Sequence, residues 1–193
     1  KPRKLQISDI AQKIFQIDDH VGVAAAGYIP DARSQVDNAR FFSQSNKMIY
    51  DEAVEVETIA KHLADQCQQF TQYAGVRPFG VALILGGVVN NNPQLYLTDP
   101  SGTYISYEAI AIGSGSEQVT DFLEKTYKNE LSLDDASTLA SAAIYLSSED
   151  KEGTSHIRMA QIKSKTGLFE LVSDDQIIKY AKAAKEKYPH EKK

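Results

Sequence analysis

The residue types that most often bind metals or attack substrates are few in this sequence. Its one cysteine, Cys67, lies on the apolar stripe of a predicted helix, and His62 lies beside that stripe. We therefore interpret Cys67 as a buried, unreactive thiol and His62 as a partly buried, hydrogen-bonded side chain. The other histidines, His20, His156 and His190, are scattered and share no metal-binding spacing with Cys, Asp or Glu. The sequence indicates no metal site and no cofactor.

A glycine-rich segment between a predicted strand and a predicted helix has the position of a phosphate-binding loop. Gly113-Ser114-Gly115-Ser116 lacks both the Lys-Ser/Thr of a P-loop and the full dinucleotide-binding glycine pattern. Ser114 and Glu117 have the three-residue spacing of a capping box, in which each side chain accepts from the other's backbone N–H. We expect a sharp turn and a capped helix here rather than a phosphate site.

Paired acids are the remaining candidates for chemistry. Catalytic carboxylates act across a cleft, whereas the pairs Asp18-Asp19, Asp134-Asp135 and Asp174-Asp175 fall at predicted turns or helix starts. Acids at such places stabilise exposed backbone N–H groups. The residues by themselves therefore show no catalytic constellation.

Composition excludes several classes of protein. With 193 residues, 42% hydrophobic and 24% charged, the chain suits one ordinary globular domain. The net charge of -5 comes from intermixed acids and bases, which argues against nucleic-acid binding. No apolar run approaches the ~20 residues of a membrane span. A single cysteine cannot form an intrachain disulfide and fits a reducing intracellular compartment.

The elements that position these residues can be predicted from periodicity. Residues 11–17 and 20–26 read as a hairpin that stops at Gly27, and Pro30-Asp31 starts a helix. Residues 56–70 carry an apolar stripe at helical spacing. The run 79–88 is apolar on successive residues, which predicts a strand covered on both faces.

The second half of the chain also reads as strands followed by helices. Residues 94–98 and 103–112 are predicted strands joined by the turn Asp99-Pro100-Ser101-Gly102. Two helices follow, then strands at 156–163 and 168–172 that turn at Thr166-Gly167, and a helix capped by Ser173-Asp174-Asp175. This order predicts an α/β (α+β) fold of one domain, residues 1–193, with two sheets between helical layers: a four-layer αββα sandwich.

Residues 68–81, QQFTQYAGVRPFGV, resemble the QQYTQYGGVRPFGV signature of proteasome α-type subunits. Asp31-Ala32-Arg33 and the segments 98–102 and 109–115 resemble further parts of that family, and the likeness runs from Arg3 to Tyr180. It implies the N-terminal-nucleophile hydrolase sandwich, in a seven-membered α ring that caps rings of β subunits. It also implies that the family's first helix, Tyr-Asp-Arg gate residues and first strands are missing, so we expect an N-terminally truncated chain.

The resemblance implies that this chain is not an enzyme itself. Catalysis in the family uses the N-terminal threonine of mature β subunits, supported by an Asp-x-x-Ser-Gly element. Residue 1 here is Lys, and residues 147–153, SSEDKEG, lack that element. The expected role is a non-catalytic α subunit that gates substrate entry. The alternatives are a truncated catalytic β-type threonine protease and an unrelated αββα binding module.

The resemblance also implies a docking pocket. By position, Lys13 matches the α-ring lysine that binds the C-terminal carboxylate of activators, and Gly27-Tyr28 matches the adjacent Gly-Leu wall. Without the resemblance, Lys13 reads as a solvated strand residue. The implied partners are other α subunits, β subunits, an ATP-dependent regulatory ATPase or other activator, and unfolded protein substrates in transit. The implied location is the cytoplasm, and also the nucleus in a eukaryote.

Overall fold

The first half of the chain forms an antiparallel sheet whose strands pair in sequence order. The computed structural model describes Leu5, residues 12–147 and residues 157–189. The strands are β1 (Ile14–Asp18), β2 (Val21–Gly27), β3 (Val81–Val89), β4 (Asn92–Thr98) and β5 (Tyr104–Ser106). Both predicted hairpins are confirmed. The second closes where Gly102 N donates to Asp99 O at 3.1 Å.

Two helices, α1 (Ile29–Tyr50) and α2 (Val56–Phe70), cover one face of this sheet. Alternate strand residues such as Val23 and Leu85 are buried against them, as the two-residue period of a strand requires. The predicted apolar stripe of α2 is confirmed, with Ile59 and Leu63 fully buried. This layer holds the main core of the protein.

The opposite face of the sheet meets a much narrower sheet, β6 (Ala160–Ile162) paired with β7 (Phe169–Leu171). Phe169 N donates to Asp19 O at 2.7 Å and ties the two sheets together. Between them lies a cavity of about 640 Å³ lined in part by Ile84 and Ile162. Among the described residues, the two short strands β6 and β7 cover the five-stranded sheet only in part, so the prediction that β3 is covered on both faces is half right.

Three helices form the outer layer beyond the small sheet: α3 (Ser116–Thr126), α4 (Leu133–Ser147) and α5 (Asp174–Lys187). Gln161 on β6 donates to Ser137 on α4 at 2.6 Å, which fixes the layer to the sheet. The predicted cap of α5 is confirmed, since Ser173 Oγ accepts from Gln176 N at 3.4 Å. The layer order is αββα, as predicted.

The structure corrects three local predictions. Strand β5 ends at Ser106, well before the predicted residue 112. The alternation of apolar and polar residues indicates which side chains are covered, but it does not show whether a partner strand is present. The Ser114 capping box is wrong: Gly115, with φ +77°, is the N-cap of α3 and no side chain caps it. Strands β6 and β7 are also shorter than predicted. Ala11, His156 and His190 lie outside the described residues.

Candidate functional site

The junction between β2 and α1 is fixed by backbone contacts to the start of β3. Gly27 has φ +121°, and a Cβ placed there would lie 2.4 Å from the carbonyl oxygen of Gly80. The next residue, Tyr28, donates its N–H to that same carbonyl at 2.7 Å. Tyr28 is also the N-cap of α1, and its carbonyl accepts from Asp31 N at 3.0 Å. The Tyr28 backbone is therefore held on both sides while 54% of the residue stays exposed.

A strap formed by residues 77–80 crosses this junction. Arg77 donates from Nη1 and Nη2 to the two carboxylate oxygens of Asp31, at 2.7 and 2.9 Å. Gly80 N donates to the same carboxylate at 2.8 Å. Phe79 anchors the strap: its side chain is buried, and its ring centroid lies 4.6 Å from that of Phe70. The Arg77 hydrogen bond, with the Gly80 N–H, lowers the pKa of Asp31 against the opposing effect of burial.

The guanidinium of Arg77 also lies over the Tyr28 ring. Its Cζ is 5.2 Å from the ring centroid, within cation–π range. The side chain of Arg77 is 60% exposed, whereas that of Asp31 is 12% exposed. The carboxylate thus forms the inner part of this cluster, and the ring and guanidinium form its surface.

Lys13 lies at the same end of the sheet. It directly precedes β1, and its carbonyl accepts from Ala25 N at 2.8 Å. Because strands rise about 3.4 Å per residue, Gly27 lies roughly 7 Å further along β2 than Ala25. The Lys13 side chain is exposed, and within residues 12–147 and 157–189 its ammonium forms no ion pair. Among the described residues, the arrangement therefore offers a cation without an ion-pair partner at the sheet end that carries the exposed Tyr28 ring.

Comparison with known proteins places this chain in a family. The family model described as "Proteasome subunit" matches residues 2–162. The proteasome subunit alpha of Archaeoglobus fulgidus is 42% identical over 184 residues, which are 95% of this chain and 74% of that protein. The chain belongs to the proteasome subunit family.

Other archaeal relatives agree with this family. The proteasome subunit alpha of Methanosarcina barkeri is 39% identical over 185 residues, covering 96% of this chain and 74% of the relative. That of Haloquadratum walsbyi is 42% identical over 169 residues, covering 88% and 68%. The predicted resemblance to α-type subunits of the proteasome is confirmed.

The Asp31–Arg77 pair is the feature of this proteasome-family site that sequence reasoning missed. Both residues belong to segments that matched the α-type pattern, but they stand 46 positions apart. Only the packing of α1 beside β3 brings them together. A single sequence contains no periodic signal that links them.

His62 and Cys67 are both enclosed by neighbouring side chains and have structural roles. The prediction for His62 is confirmed: its Nε2 lies 2.8 Å from Asn38 Oδ1, its ring stacks on Phe42 at 4.0 Å, and burial lowers its pKa. Cys67 is 1% exposed, and burial raises its pKa even though Gln35 donates to the sulfur. A protonated, enclosed thiol is a poor nucleophile.

The pairs Asp134-Asp135 and Asp174-Asp175 lie in the first turns of α4 and α5, as predicted, but serine side chains rather than the acids cap these helices. Ser132 Oγ accepts from Asp135 N at 3.1 Å at the start of α4. Asp18, however, is buried rather than exposed at its turn, and accepts from Ser43 Oγ at 2.6 Å and Asp19 N at 2.8 Å. Sequence could not show this, because Ser43 lies 25 positions from Asp18, in the second half of α1.

Within the part of the chain that the structure describes, no group of three or more His, Cys, Asp or Glu side chains is placed to hold a metal ion. None of the described helices is both long and apolar enough to cross a membrane.

Proposed function

We propose that this chain is a non-catalytic α subunit of the proteasome core particle. With other α subunits it forms a seven-membered outer ring, stacked on β subunits, through which unfolded proteins pass in the cytoplasm, or also the nucleus in a eukaryote. Its match to archaeal proteasome α subunits over about nine-tenths of its length supports this role. The strap at residues 77–80, which is part of the α-type signature, also supports it, since Arg77 and Gly80 both donate to Asp31 at the β2–α1 junction.

The absence of catalysis can be tested directly. The full-length chain should be assembled with β subunits and treated with a threonine-specific covalent inhibitor. We expect intact mass spectrometry to find label on β subunits and none on this chain. Label on this chain would instead favour the truncated β-type protease. Native mass spectrometry of the chain alone should show seven-membered rings, whereas a monomer at high concentration would favour an unrelated αββα binding module.

The docking role rests on one observation: the exposed ammonium of Lys13 has no described counter-ion and lies at the sheet end that carries Gly27 and Tyr28. We propose that it binds the C-terminal carboxylate of a regulatory ATPase or other activator, with Gly27 and Tyr28 as the adjacent wall. A charge-assisted hydrogen bond to a carboxylate is about twice as strong as a neutral one. Docking at this position opens the ring for substrate entry.

The test is Lys13→Ala in the assembled core particle. Activator-stimulated peptide hydrolysis should be lost, while the ring assembles normally by native mass spectrometry. Lys165→Ala is the matched control, because Lys165 is an exposed lysine at the β6–β7 turn. Stimulation that survives Lys13→Ala would remove this residue from the docking role.

We also propose that the domain is completed by elements outside the described residues, namely the gate helix and first strands expected for the family. A two-stranded sheet is marginal by itself, and here it faces five strands across a cavity of about 640 Å³. The chain spans about three quarters of the length of its Archaeoglobus relative. An experimental structure of the full-length protein should show strands added to β6–β7. A cavity left open there would contradict the proposal.

A further inference from the structure

Arg77, far from Tyr28 in the sequence, lies over the Tyr28 ring and donates two hydrogen bonds to Asp31. We propose that Asp31 and Arg77 are positioning residues for activator docking: they hold the Tyr28 ring as a fixed wall and act on the bound peptide only through that ring. This inference rests on the proposed docking function and adds residues that the family resemblance did not assign to it.

The guanidinium of Arg77 is bound to Asp31. Both terminal nitrogens of its guanidinium donate to the Asp31 carboxylate, and Nη1 also donates to Pro78 O at 2.9 Å. Asp31 in turn is held by Gly80 N at 2.8 Å and lies in the first turn of α1, where the helix dipole favours an acid. The fork geometry of this pair fixes the plane of the guanidinium.

The position of the Tyr28 ring depends on the plane of that guanidinium. The backbone of Tyr28 is pinned by Gly80 and Asp31, but its ring is more than half exposed. The contact with Arg77, 5.2 Å from Cζ to centroid, restricts its rotamers. Binding to a wall that is already ordered avoids the entropy of ordering it.

Arg77 and Lys13 differ in their ion-pair partners. The charge of Arg77 is matched by Asp31, whereas Lys13, like Arg33 in α1, forms no ion pair among the described residues. Loss of Lys13 should therefore remove the preference for a free carboxylate. Loss of Arg77 should weaken binding without changing that preference.

The experiment uses assembled core particles and fluorescence anisotropy. The probes are a labelled peptide with the C-terminal sequence of the regulatory ATPase from the same organism, and the same peptide with an amidated C-terminus. Arg77→Ala should lower the affinity for the free-carboxylate peptide about two- to fivefold, which corresponds to the range of an exposed cation–π contact. Asp31→Asn should do the same, and Tyr28→Phe, which keeps the ring, should change little.

A double-mutant cycle decides whether Arg77 acts through the ring. In a Tyr28→Ala background, Arg77→Ala should have no further effect on affinity. The same weakening in both backgrounds would overturn the inference, as would loss of the carboxylate preference in Arg77→Ala. If Lys13 proves essential but the coupling is absent, positioning is refuted and docking stands. If the coupling holds but Lys13→Ala changes nothing, the role of Lys13 is refuted and positioning stands.

A ligand-free measurement guards against a merely unstable variant. Cryo-electron microscopy of the Arg77→Ala particle should show the Tyr28 ring displaced or spread over rotamers, with Gly80 still bound to the Tyr28 N–H. A ring that keeps its place would overturn the inference. Native mass spectrometry confirms that each variant particle is intact.

Discussion

Replacing Ser43 with alanine removes a hydroxyl that donates to a buried carboxylate. Ser43 is fully buried on α1, Asp18 is 6% exposed at the β1–β2 turn, and Oγ lies 2.6 Å from Oδ2. Hydrogen bonds to charged groups contribute about 1.5–3 kcal/mol, and the removed atom leaves little space to refill. We expect Ser43→Ala to lower the free energy of unfolding by about 2 kcal/mol at pH 7.

The pH dependence of this loss follows from the Asp18 carboxylate. Burial raises the pKa of Asp18, but hydrogen bonds from Ser43 and Asp19 N, with the charges of His20 and Lys47, bring it below its usual 3.8. A group with a lowered folded-state pKa stabilises the fold above its unfolded pKa, and this contribution disappears as pH falls through the folded value. Ser43→Ala raises that pKa. The loss of unfolding free energy that it causes should therefore be full at pH 7 and shrink below about pH 4.

The measurement is urea unfolding followed by far-UV circular dichroism across pH 3 to 7. Protein concentration must be fixed because assembly adds apparent stability. Ser34→Ala is the matched control, since Ser34 is exposed on the same helix. A deficit equal to that of the control, or one independent of pH, would refute the assigned role of the hydrogen bond.

Two further predictions concern local packing. Gly102→Ala should lower the free energy of unfolding by about 2–4 kcal/mol, because φ is +92° and the new Cβ would lie 2.6 Å from the Cβ of Gln68. Gly75→Ala, with φ +84° but open space, should cost about 1 kcal/mol; equal losses in urea midpoints would contradict the clash. The Cys67 thiol should react with an aromatic disulfide reagent on the order of 100-fold more slowly in the native chain than in urea, since it is buried and its pKa is raised. Fast native labelling would show that α2 opens readily.

Local patterns in the sequence determined most elements of this fold. The stripe of α2, the apolar run of β3 and the turn at Asp99–Gly102 were predictable, because periodicity and turn residues act over a few positions. The signature at residues 68–81 also determined the family resemblance, which the relatives confirm. The positions of Lys13 and Tyr28 came from that resemblance, not from spacing.

Tertiary structure alone decided the features that depend on residues far apart in the chain. Strand β5 ends at Ser106 and α3 begins after Gly115, because strand pairing and the glycine turn set these limits. Asp18 is buried because α1 brings Ser43 to it, and Arg77 meets Asp31 because β3 runs beside the start of α1. Such contacts depend on how elements pack, and no local pattern in a single sequence encodes that packing.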